Sequence, residues 1–263
     1  SRGELILTMA LTEPSAQYDA YAITTSAVAD KDDYIISGTK LFVPDAHIAD
    51  WMVCVAKTKD GARAEDGITL FLVDAKSPGV SSTLLKTIIG DKQCEVVFDK
   101  VRVPKGNMLG GLNQGWPVVE KALKRAAVAM CVEMVGGAQQ VLDMTVSYAK
   151  ERVQFDRPIG SFQAIQHHCA NMLVDVDGSR FITYEAAWML SEGLPCTKEV
   201  SMAKAWVSEA YNRVARLGLQ VHGGVGLITE HDMPLYFGRA TASALTLGDA
   251  CFHREIVAVE LGL

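Results

Sequence analysis

The sequence predicts an α+β protein in which an antiparallel β-sandwich or barrel domain precedes an antiparallel four-helix bundle. Short runs rich in valine, isoleucine and phenylalanine fill the first part of the chain, and glycine, aspartate and proline break them at regular intervals. From Gly111 onward the period changes, and apolar residues recur at helical spacing. These two patterns divide the chain into predicted domains at residues 1–108 and 109–263.

Four runs carry the β prediction. They are 34–43 (YIISGTKLFV), 50–58 (DWMVCVAKT), 68–75 (ITLFLVDA) and 94–103 (CEVVFDKVRV). Their β-branched and aromatic residues pack well on a pleated surface. Short strands separated by turn residues are typical of a compact antiparallel sandwich or barrel.

The second half predicts three long helices and two shorter ones. Glycine and proline after residue 192 mark the end of the second helix. The expected ranges are 114–152, 161–192, a third that starts after Thr197 and reaches 216–224, and two short helices near 234–243 and 250–261. Long helices with short connections predict an antiparallel bundle.

The composition argues against several classes of partner. The formal net charge is −6 and there is no basic tract, so a nucleic-acid partner is not expected. The six cysteines stand singly, which predicts no metal site and reduced thiols in a cytoplasmic protein. No signal peptide is visible. The longest apolar stretch, 126–142, contains Glu133 and is too short and too polar to span a membrane.

The segment 152–168, RVQFDRPIGSFQAIQHH, forms a corner between the first two predicted helices. It joins Arg152 at a helix end, Phe155 in a turn and Gln163 at the start of the next helix. An arginine at a helix end often serves solubility alone. The alternative is that this corner binds an anionic, flat ligand, because a guanidinium fork pairs bidentately with phosphate oxygens.

Four segments, taken in order, resemble motifs of the acyl-CoA dehydrogenase family. They are 11–19 (LTEPSAQYD), 38–51 (GTKLFVPDAHIADW), 152–166 (RVQFDRPIGSFQAIQ) and 220–240 (QVHGGVGLITEHDMPLYFGRA). Each match alone is short, but four in the family's order span nearly the whole chain. The resemblance implies the middle and C-terminal domains of this family, without its N-terminal helical domain.

The resemblance further implies an FAD site shared between subunits. In the family, the arginine that aligns with Arg152 binds the pyrophosphate of the adjacent subunit's FAD. Gly223 and Gly224 would let backbone amides approach phosphate, since they carry no Cβ; a helix C-cap is their other interpretation. The residues implied at the adenosine end and along the same cofactor are Phe155, Gln163 and Gln220. A shared site requires an oligomer of identical or homologous subunits.

On the β domain, the resemblance places Thr12 and the backbone around Leu11 at the flavin ring. Three positions depart from the family pattern. Phe42 stands where the family has a tryptophan over the flavin, and Pro44, which has no N–H, stands where a threonine contacts the ring. Tyr18 replaces a serine that touches the substrate's thioester chain. FAD binding is still expected, with altered redox tuning and an altered acyl pocket.

The family reaction removes a proton from Cα of an acyl-CoA, usually with a glutamate as general base. The aligned segment 244–258 places Leu247 at that position, with no carboxylate one residue to either side. The backbone N–H of residue 247 would still be able to polarise the thioester carbonyl. Asp249 is a candidate base, although it also fits a helix N-cap. Glu133 is the second candidate, as a desolvated carboxyl on an apolar helix face, although an ion pair or structural hydrogen bond is favoured there.

Other polar residues carry weaker predictions. A second base position in the family precedes an arginine early in the first bundle helix, where this chain has Lys124 and then Arg125. The resemblance therefore places no acidic residue at this second base position. It assigns Arg125 a contact with the substrate and no catalytic role. Three histidines are expected to be ordinary polar helix positions: His167, His168 and His222.

The resulting prediction is an FAD-dependent acyl-CoA dehydrogenase-like oxidoreductase. Its expected partners are an acyl-CoA substrate, a second identical or homologous subunit, and an electron-transfer flavoprotein. Two alternatives stay open: a catalytically silent FAD-binding subunit of a hetero-oligomeric dehydrogenase, and a related flavin oxidase or monooxygenase. The fold alone does not decide among them, because function resides in the site.

Overall fold

A computed structural model describes residues 3–263 of the chain. The chain divides into two compact units, Ser1–Ala122 and Leu123–Leu263. A sheet fills the first unit and helices fill the second, which confirms the α+β fold class. The division between the units falls inside the first helix, and the expected domain boundary between residues 108 and 109 stays a prediction.

The first unit is built around one eight-stranded sheet. Its strands are β1 (Leu7–Ala10), β2 (Ser26–Asp30), β3 (Asp33–Pro44), β4 (Trp51–Lys57), β5 (Ile68–Asp74), β6 (Val80–Leu84), β7 (Gln93–Pro104) and β8 (Met108–Leu109). In space they run β6-β7-β3-β2-β4-β5-β8, with β1 beside β4. Most neighbours are antiparallel, whereas β4 pairs in parallel with β1 and, at one residue pair, with β2.

Alternation along the two longest strands creates the core of the sheet unit. Tyr34 and Ile36 on β3 are buried, as are Val96 and Phe98 on β7, so every second side chain faces inward. The ladder between these strands is interrupted twice, and the second irregularity lies between Lys40 and Val43 of β3. A bulge of this kind redirects the side chains beside it.

The second unit contains the helical bundle. Its helices are α1 (Trp116–Glu151, which begins in the first unit), α2 (Gln163–Ser191), α3 (Thr197–His222), α4 (Met233–Leu245) and α5 (Ala250–Glu260), and a short hairpin of β9 (Val153–Gln154) and β10 (Arg157–Pro158) follows α1. The second helix starts two residues later than predicted. Ser161 instead closes a 3₁₀ turn, Ile159–Ser161, and its hydroxyl donates to the Pro158 carbonyl oxygen at 2.7 Å.

Helix α3 packs against α2, α4 and α5, and its buried face joins the core contributed by α1. Two glycines make room for side chains between α1 and α3. A Cβ at Gly137 of α1 would lie 2.4 Å from the Tyr211 hydroxyl, and one at Gly218 of α3 would lie 2.7 Å from a Val141 methyl group. Each glycine therefore leaves room for a side chain of the other helix, Tyr211 of α3 against Gly137 and Val141 of α1 against Gly218.

Three general features of residues 3–263 bear on function. None of their helices is long and apolar enough to cross a membrane. They contain no group of three or more acidic, histidine or cysteine side chains that could hold a metal ion. All six cysteines are free thiols.

Candidate functional site

Local hydrogen bonds build the corner between α1 and α2. The Arg152 N–H donates to the Tyr148 carbonyl oxygen at 2.8 Å, and the Arg152 carbonyl accepts from the Ile159 N–H at 2.8 Å. Between these bonds the β9–β10 hairpin reverses the chain through Phe155 and Asp156, both with positive φ. Two successive positive φ values are typical of a type I′ turn, whose twist matches the flanking strands. The corner therefore holds Arg152 at the helix end with its side chain exposed.

Arg152 lines a cleft of about 510 Å³ together with the turn that follows α3. Gly223 and Gly224 begin that turn, and a Cβ built on either would meet no atom within 4 Å. Among residues 3–263, no carboxylate pairs with the Arg152 guanidinium. The cleft thus presents an unpaired cation beside backbone that carries no side chain, a combination suited to a phosphate-type anion.

Three further side chains were predicted for the same cofactor: Phe155, Gln163 and Gln220. All three are exposed and do not line the cleft. The Phe155 ring is 85% exposed and lies edge-on to Phe162, with 6.0 Å between ring centres. Arg157 places its guanidinium 4.1 Å from the centre of the Phe162 ring. The roles of the three side chains therefore stay predictions, whereas the predicted pyrophosphate residues do lie together.

His222, the last residue of α3, also lines the cleft, where it is buried rather than solvent-facing. It is only 4% exposed, and its Nδ1 lies 2.8 Å from the Gly218 carbonyl oxygen. Burial lowers the pKa of His222, against the opposing effect of that carbonyl, so the ring is neutral and donates from Nδ1. The Tyr148 ring stacks on it at 4.5 Å. A histidine directly before two glycines, with a tyrosine one turn before Arg152, was the sequence signal for this wall of the cleft.

In the first unit, the predicted flavin-ring residues lie in a buried loop. Leu11 and Thr12 are 7% and 8% exposed. The Lys40 ammonium donates to the Leu11 carbonyl at 3.0 Å and to a Glu13 carboxylate oxygen at 2.7 Å. The Leu41 N–H donates to the Thr12 carbonyl at 2.8 Å. The loop is therefore fixed to strand β3 by backbone bonds and by a buried ion pair.

Glu13 gathers donors from several parts of the chain. Its oxygens accept from the Thr24 and Thr25 N–H groups at 2.8 and 3.0 Å, and also from the Thr24 hydroxyl. Burial alone would raise the pKa of Glu13, but Lys40 and these donors together hold it below its ordinary value. Glu13 is therefore a carboxylate at neutral pH. Sequence reasoning missed this pair, although each partner stands within a quoted motif.

Phe42 lies on the bulge of β3, with a φ of 56° and a side chain that is 44% exposed. The bulge turns it out of the alternation that buries Val43, so its ring is accessible to a planar ligand. The neighbouring Pro44 carbonyl accepts from the Thr8 hydroxyl at 2.6 Å. Tyr18, the predicted substrate contact in this unit, is half-buried.

Leu247, at the predicted base position, lies in the turn between α4 and α5. Its φ is 62°, in the left-handed region, and Gly248 follows at 93°. The Leu247 carbonyl accepts from His253 Nε2 at 2.9 Å, and the Gly248 carbonyl accepts from the Lys204 ammonium at 3.0 Å. Burial lowers the pKa of Lys204 to about 8 and that of His253 to about 4. At neutral pH an ammonium and a neutral imidazole therefore hold the turn.

The two candidate carboxylates have structural partners. Asp249 caps α5, where it accepts from the Phe252 N–H at 2.8 Å. Glu133 forms an ion pair with Arg239 at 3.0 Å, as the favoured interpretation expected, and its side chain is 52% exposed, so the alternative of a desolvated carboxyl is wrong. Arg125 is exposed on α1. The substrate role of Arg125 and the catalytic roles of the two carboxylates stay untested predictions.

Known proteins that match the chain agree with the sequence motifs. Residues 8–101 match the acyl-CoA dehydrogenase middle domain, and residues 113–262 match the acyl-CoA dehydrogenase C-terminal domain. A 3-(aryl)acrylate reductase from Clostridium sporogenes is 36% identical over 99% of this chain and 70% of its own length. The CarC subunit of the caffeyl-CoA reductase-Etf complex from Acetobacterium woodii is 38% identical over 87% of this chain and 61% of its own length.

The fold agrees as well. The crystal structure of an acyl-CoA dehydrogenase from Geobacillus kaustophilus matches with a TM-score of 0.95, at 30% identity, over 99% of this chain and 70% of that one. The chain thus spans between 61% and 70% of the length of these three relatives. With both domain matches in order and identity sustained over nearly all its residues, the chain belongs to the acyl-CoA dehydrogenase family of flavoprotein oxidoreductases.

Proposed function

We propose that this chain binds FAD and takes part in oxidation or reduction of the Cα–Cβ bond of an acyl-CoA thioester. The observation that carries the proposal is the cleft that joins Arg152 to Gly223 and Gly224. Membership of the acyl-CoA dehydrogenase family supplies the type of reaction.

The chemistry of the cleft suits the FAD pyrophosphate. Arg152 has no carboxylate partner within residues 3–263, so its guanidinium is available for two parallel bonds to phosphate oxygens. Gly223 and Gly224 leave open space where side chains would otherwise stand, so their backbone can approach the anion. Because the His222 ring is neutral, Arg152 supplies the positive charge of the cleft. Arg152 would thus bind and orient the diphosphate, and the glycines would enclose it.

The sheet unit would hold the ring end of a cofactor. Thr12 and the Leu11 backbone are fixed to β3 through the Glu13–Lys40 pair, and the exposed Phe42 ring offers a stacking surface. When bound, FAD supplies a hydride acceptor or donor. The residues of this chain would position the ring and keep water from it. The family pattern assigns the pyrophosphate cleft to a neighbouring subunit's FAD, so the proposal includes an oligomer of identical or homologous subunits.

The relatives suggest a substrate class and an electron partner. One is named for reduction of 3-(aryl)acrylate, and the other belongs to a caffeyl-CoA reductase-Etf complex. We extend both names to this chain as a proposal. Its substrate would be the CoA thioester of an aryl-substituted acrylate or of the saturated equivalent, and an electron-transferring flavoprotein would exchange electrons with its flavin.

Leu247 favours a second candidate, a chain that binds FAD without abstracting the α-proton itself. Its side chain cannot accept a proton, Asp249 is engaged as a helix cap, and Glu133 pairs with Arg239. Such a chain would complete the FAD site of a homologous subunit that has its own base. The two candidates share the FAD proposal and differ only in where the proton is transferred.

FAD affinity in two arginine variants tests the shared proposal. Arg152→Ala should weaken FAD binding about 10- to 100-fold, since charge-assisted hydrogen bonds are worth roughly 1.5–3 kcal/mol. Arg157→Ala is the matched control, because Arg157 belongs to the same corner but stacks on Phe162 and does not line the cleft. Equal FAD content in both variants after extensive dialysis would show that the pyrophosphate assignment is wrong.

Anaerobic titration of the FAD-loaded protein with 3-phenylpropionyl-CoA separates the two candidates. Bleaching of the flavin band within seconds would support a chain that catalyses the reaction alone. Bleaching only after addition of a homologous subunit with an acidic residue at the base position would support the silent-subunit candidate. NADH-dependent oxygen consumption without any response to the thioester would instead favour a flavin monooxygenase.

A further inference from the structure

We propose that Lys204 is a positioning residue that fixes the Leu247–Gly248 turn, and with it the backbone presented to the α-carbon and thioester of an acyl-CoA. This inference rests on the proposed function and on the family resemblance that puts residue 247 beside that part of the substrate. Lys204 was not singled out by any sequence motif. It lies in the middle of α3 and is 0% exposed.

The Lys204 ammonium is surrounded by neutral oxygen acceptors. Its Nζ lies 3.0 Å from the Ser208 hydroxyl, 3.2 Å from the Ser243 and Ala244 carbonyl oxygens, and 3.0 Å from the Gly248 carbonyl oxygen. An ammonium has three N–H donors, so these four contacts saturate it. Within residues 3–263, no carboxylate lies within ion-pair distance of it. Its charge is therefore compensated mainly by neutral backbone and hydroxyl dipoles in direct contact, with Asp249 contributing only at longer range.

The positions of these acceptors give Lys204 its role. Ser243 and Ala244 lie in the last turn of α4, where carbonyl groups lack partners within the helix and carry the negative end of its dipole. Gly248 is the second residue of the turn and lies one residue before Asp249, the cap of α5. Leu247 stands between the two attachment points. One buried cation thus ties the end of α4 to the start of α5 and fixes the chain on both sides of the predicted base position.

The conformation of Leu247 requires such restraint. Its φ of 62° lies in a region that residues with a Cβ rarely occupy, so surrounding contacts must hold it there. His253 supplies one contact by donating to the Leu247 carbonyl at 2.9 Å. Lys204 supplies the second contact by donating to the Gly248 carbonyl. Two buried donors on successive carbonyls leave the backbone of this turn little freedom, which is what a preorganised binding segment needs.

The test compares Lys204→Met with a matched control, Asn212→Leu. Asn212 lies two turns further along α3 and donates to the Ala240 carbonyl of α4 at 3.2 Å, and its other hydrogen bond goes to the Ser208 carbonyl rather than to residues 243–248. Both variants remove a polar bond between α3 and α4, so a role limited to joining these two helices would appear in both. Two readouts apply to the FAD-loaded proteins: amide hydrogen exchange of residues 244–250, and the spectral Kd for 3-phenylacryloyl-CoA. Lys204→Gln, which keeps an N–H donor, replaces the methionine variant if that variant does not fold.

Lys204→Met should retain FAD, exchange the 244–250 amides at least tenfold faster, and bind the thioester at least tenfold more weakly. Lys204→Gln should recover part of both losses, and Asn212→Leu should show neither. Unchanged exchange in Lys204→Met, or an equal loss of thioester affinity in Asn212→Leu, would overturn the proposal. A parent protein that holds FAD but gives no spectral response to the thioester would refute the acyl-CoA function instead, and the exchange rates would still show whether Lys204 holds the turn.

Discussion

His253 should make the stability of this protein depend on pH in a defined window. The side chain is 5% exposed, its Nε2 donates to the Leu247 carbonyl, and its Nδ1 is buried without a partner within the described part of the chain. Burial, opposed by the Leu247 hydrogen bond, lowers its pKa to about 4 from the ordinary 6.5. The folded protein therefore contains the neutral ring at any pH above about 4.

The sign of the effect follows from proton binding. Between pH 4 and 6.5 the unfolded chain protonates His253 and the folded chain does not, so acidification favours unfolding. The stability associated with the neutral His253 ring is fully present above pH 6.5 and is lost as the pH falls towards 4. Each pH unit between the two pKa values is worth about 1.4 kcal/mol, so the free energy of unfolding should fall by about 3 kcal/mol across the window from this residue alone.

Urea unfolding of the parent and of His253→Gln at several pH values between 4 and 7.5 measures this contribution. Glutamine keeps an N–H donor for the Leu247 carbonyl but cannot be protonated, so the variant does not lose this stability as the pH falls. The difference in the free energy of unfolding between the parent and the variant should therefore shrink at lower pH. His167→Gln, which removes an exposed imidazole, is the control and should run parallel to the parent. If His253→Gln also runs parallel to the parent, the imidazole is not held neutral by burial and the reasoning fails.

Two further variants test the remaining parts of the site. Glu13→Gln should lower the free energy of unfolding by about 3–5 kcal/mol, because it leaves the buried Lys40 ammonium without its counter-charge. The double variant Glu13→Gln/Lys40→Met should cost less in the same urea titration, and a larger cost would show that the charge is not the cause. Leu247→Glu should accelerate deuterium exchange at the α-carbon of a saturated acyl-CoA by about 10²- to 10⁴-fold, the usual contribution of a general base. Leu245→Glu, at an exposed position two residues earlier, is its control, and rapid exchange in the parent that Asp249→Asn abolishes would show that the base has moved instead.

Features that depend on local periodicity could be predicted from the sequence. The helices of the second unit follow the spacing of apolar residues, and glycine or proline marks their ends. The cleft at Arg152 could be anticipated because its parts lie in two recognisable motifs. The start of α2 was misplaced because Ser161, a residue that commonly opens helices, closes a 3₁₀ turn here.

Features that depend on contacts distant in sequence could not be predicted. Glu133 interrupts an apolar helix face, and nothing in its neighbourhood shows that Arg239, 106 residues away, is its partner. Lys40 and Glu13 are separated by 27 residues. The contacts of Lys204 are harder still to predict, because its acceptors beyond α3 are backbone carbonyls 39 to 44 residues away. Any amino acid at those positions would supply the same carbonyl. A buried lysine that binds only backbone and hydroxyl oxygens leaves no pairwise pattern in the sequence.

The turn at Leu247 separates two tasks that a glutamate at this position would combine. The backbone of the turn is fixed by Lys204 and His253, neither of which requires a carboxylate at residue 247. Proton transfer requires a side chain that leucine does not provide. If the backbone conformation of the turn does not depend on the side chain of residue 247, Leu247→Glu adds a proton acceptor to a turn that is already fixed. Lys204→Met instead removes the bond that fixes the turn and leaves the Leu247 side chain unchanged. The double variant would then show no gain in α-proton exchange, because a carboxylate on a disordered turn has no fixed position relative to the α-carbon.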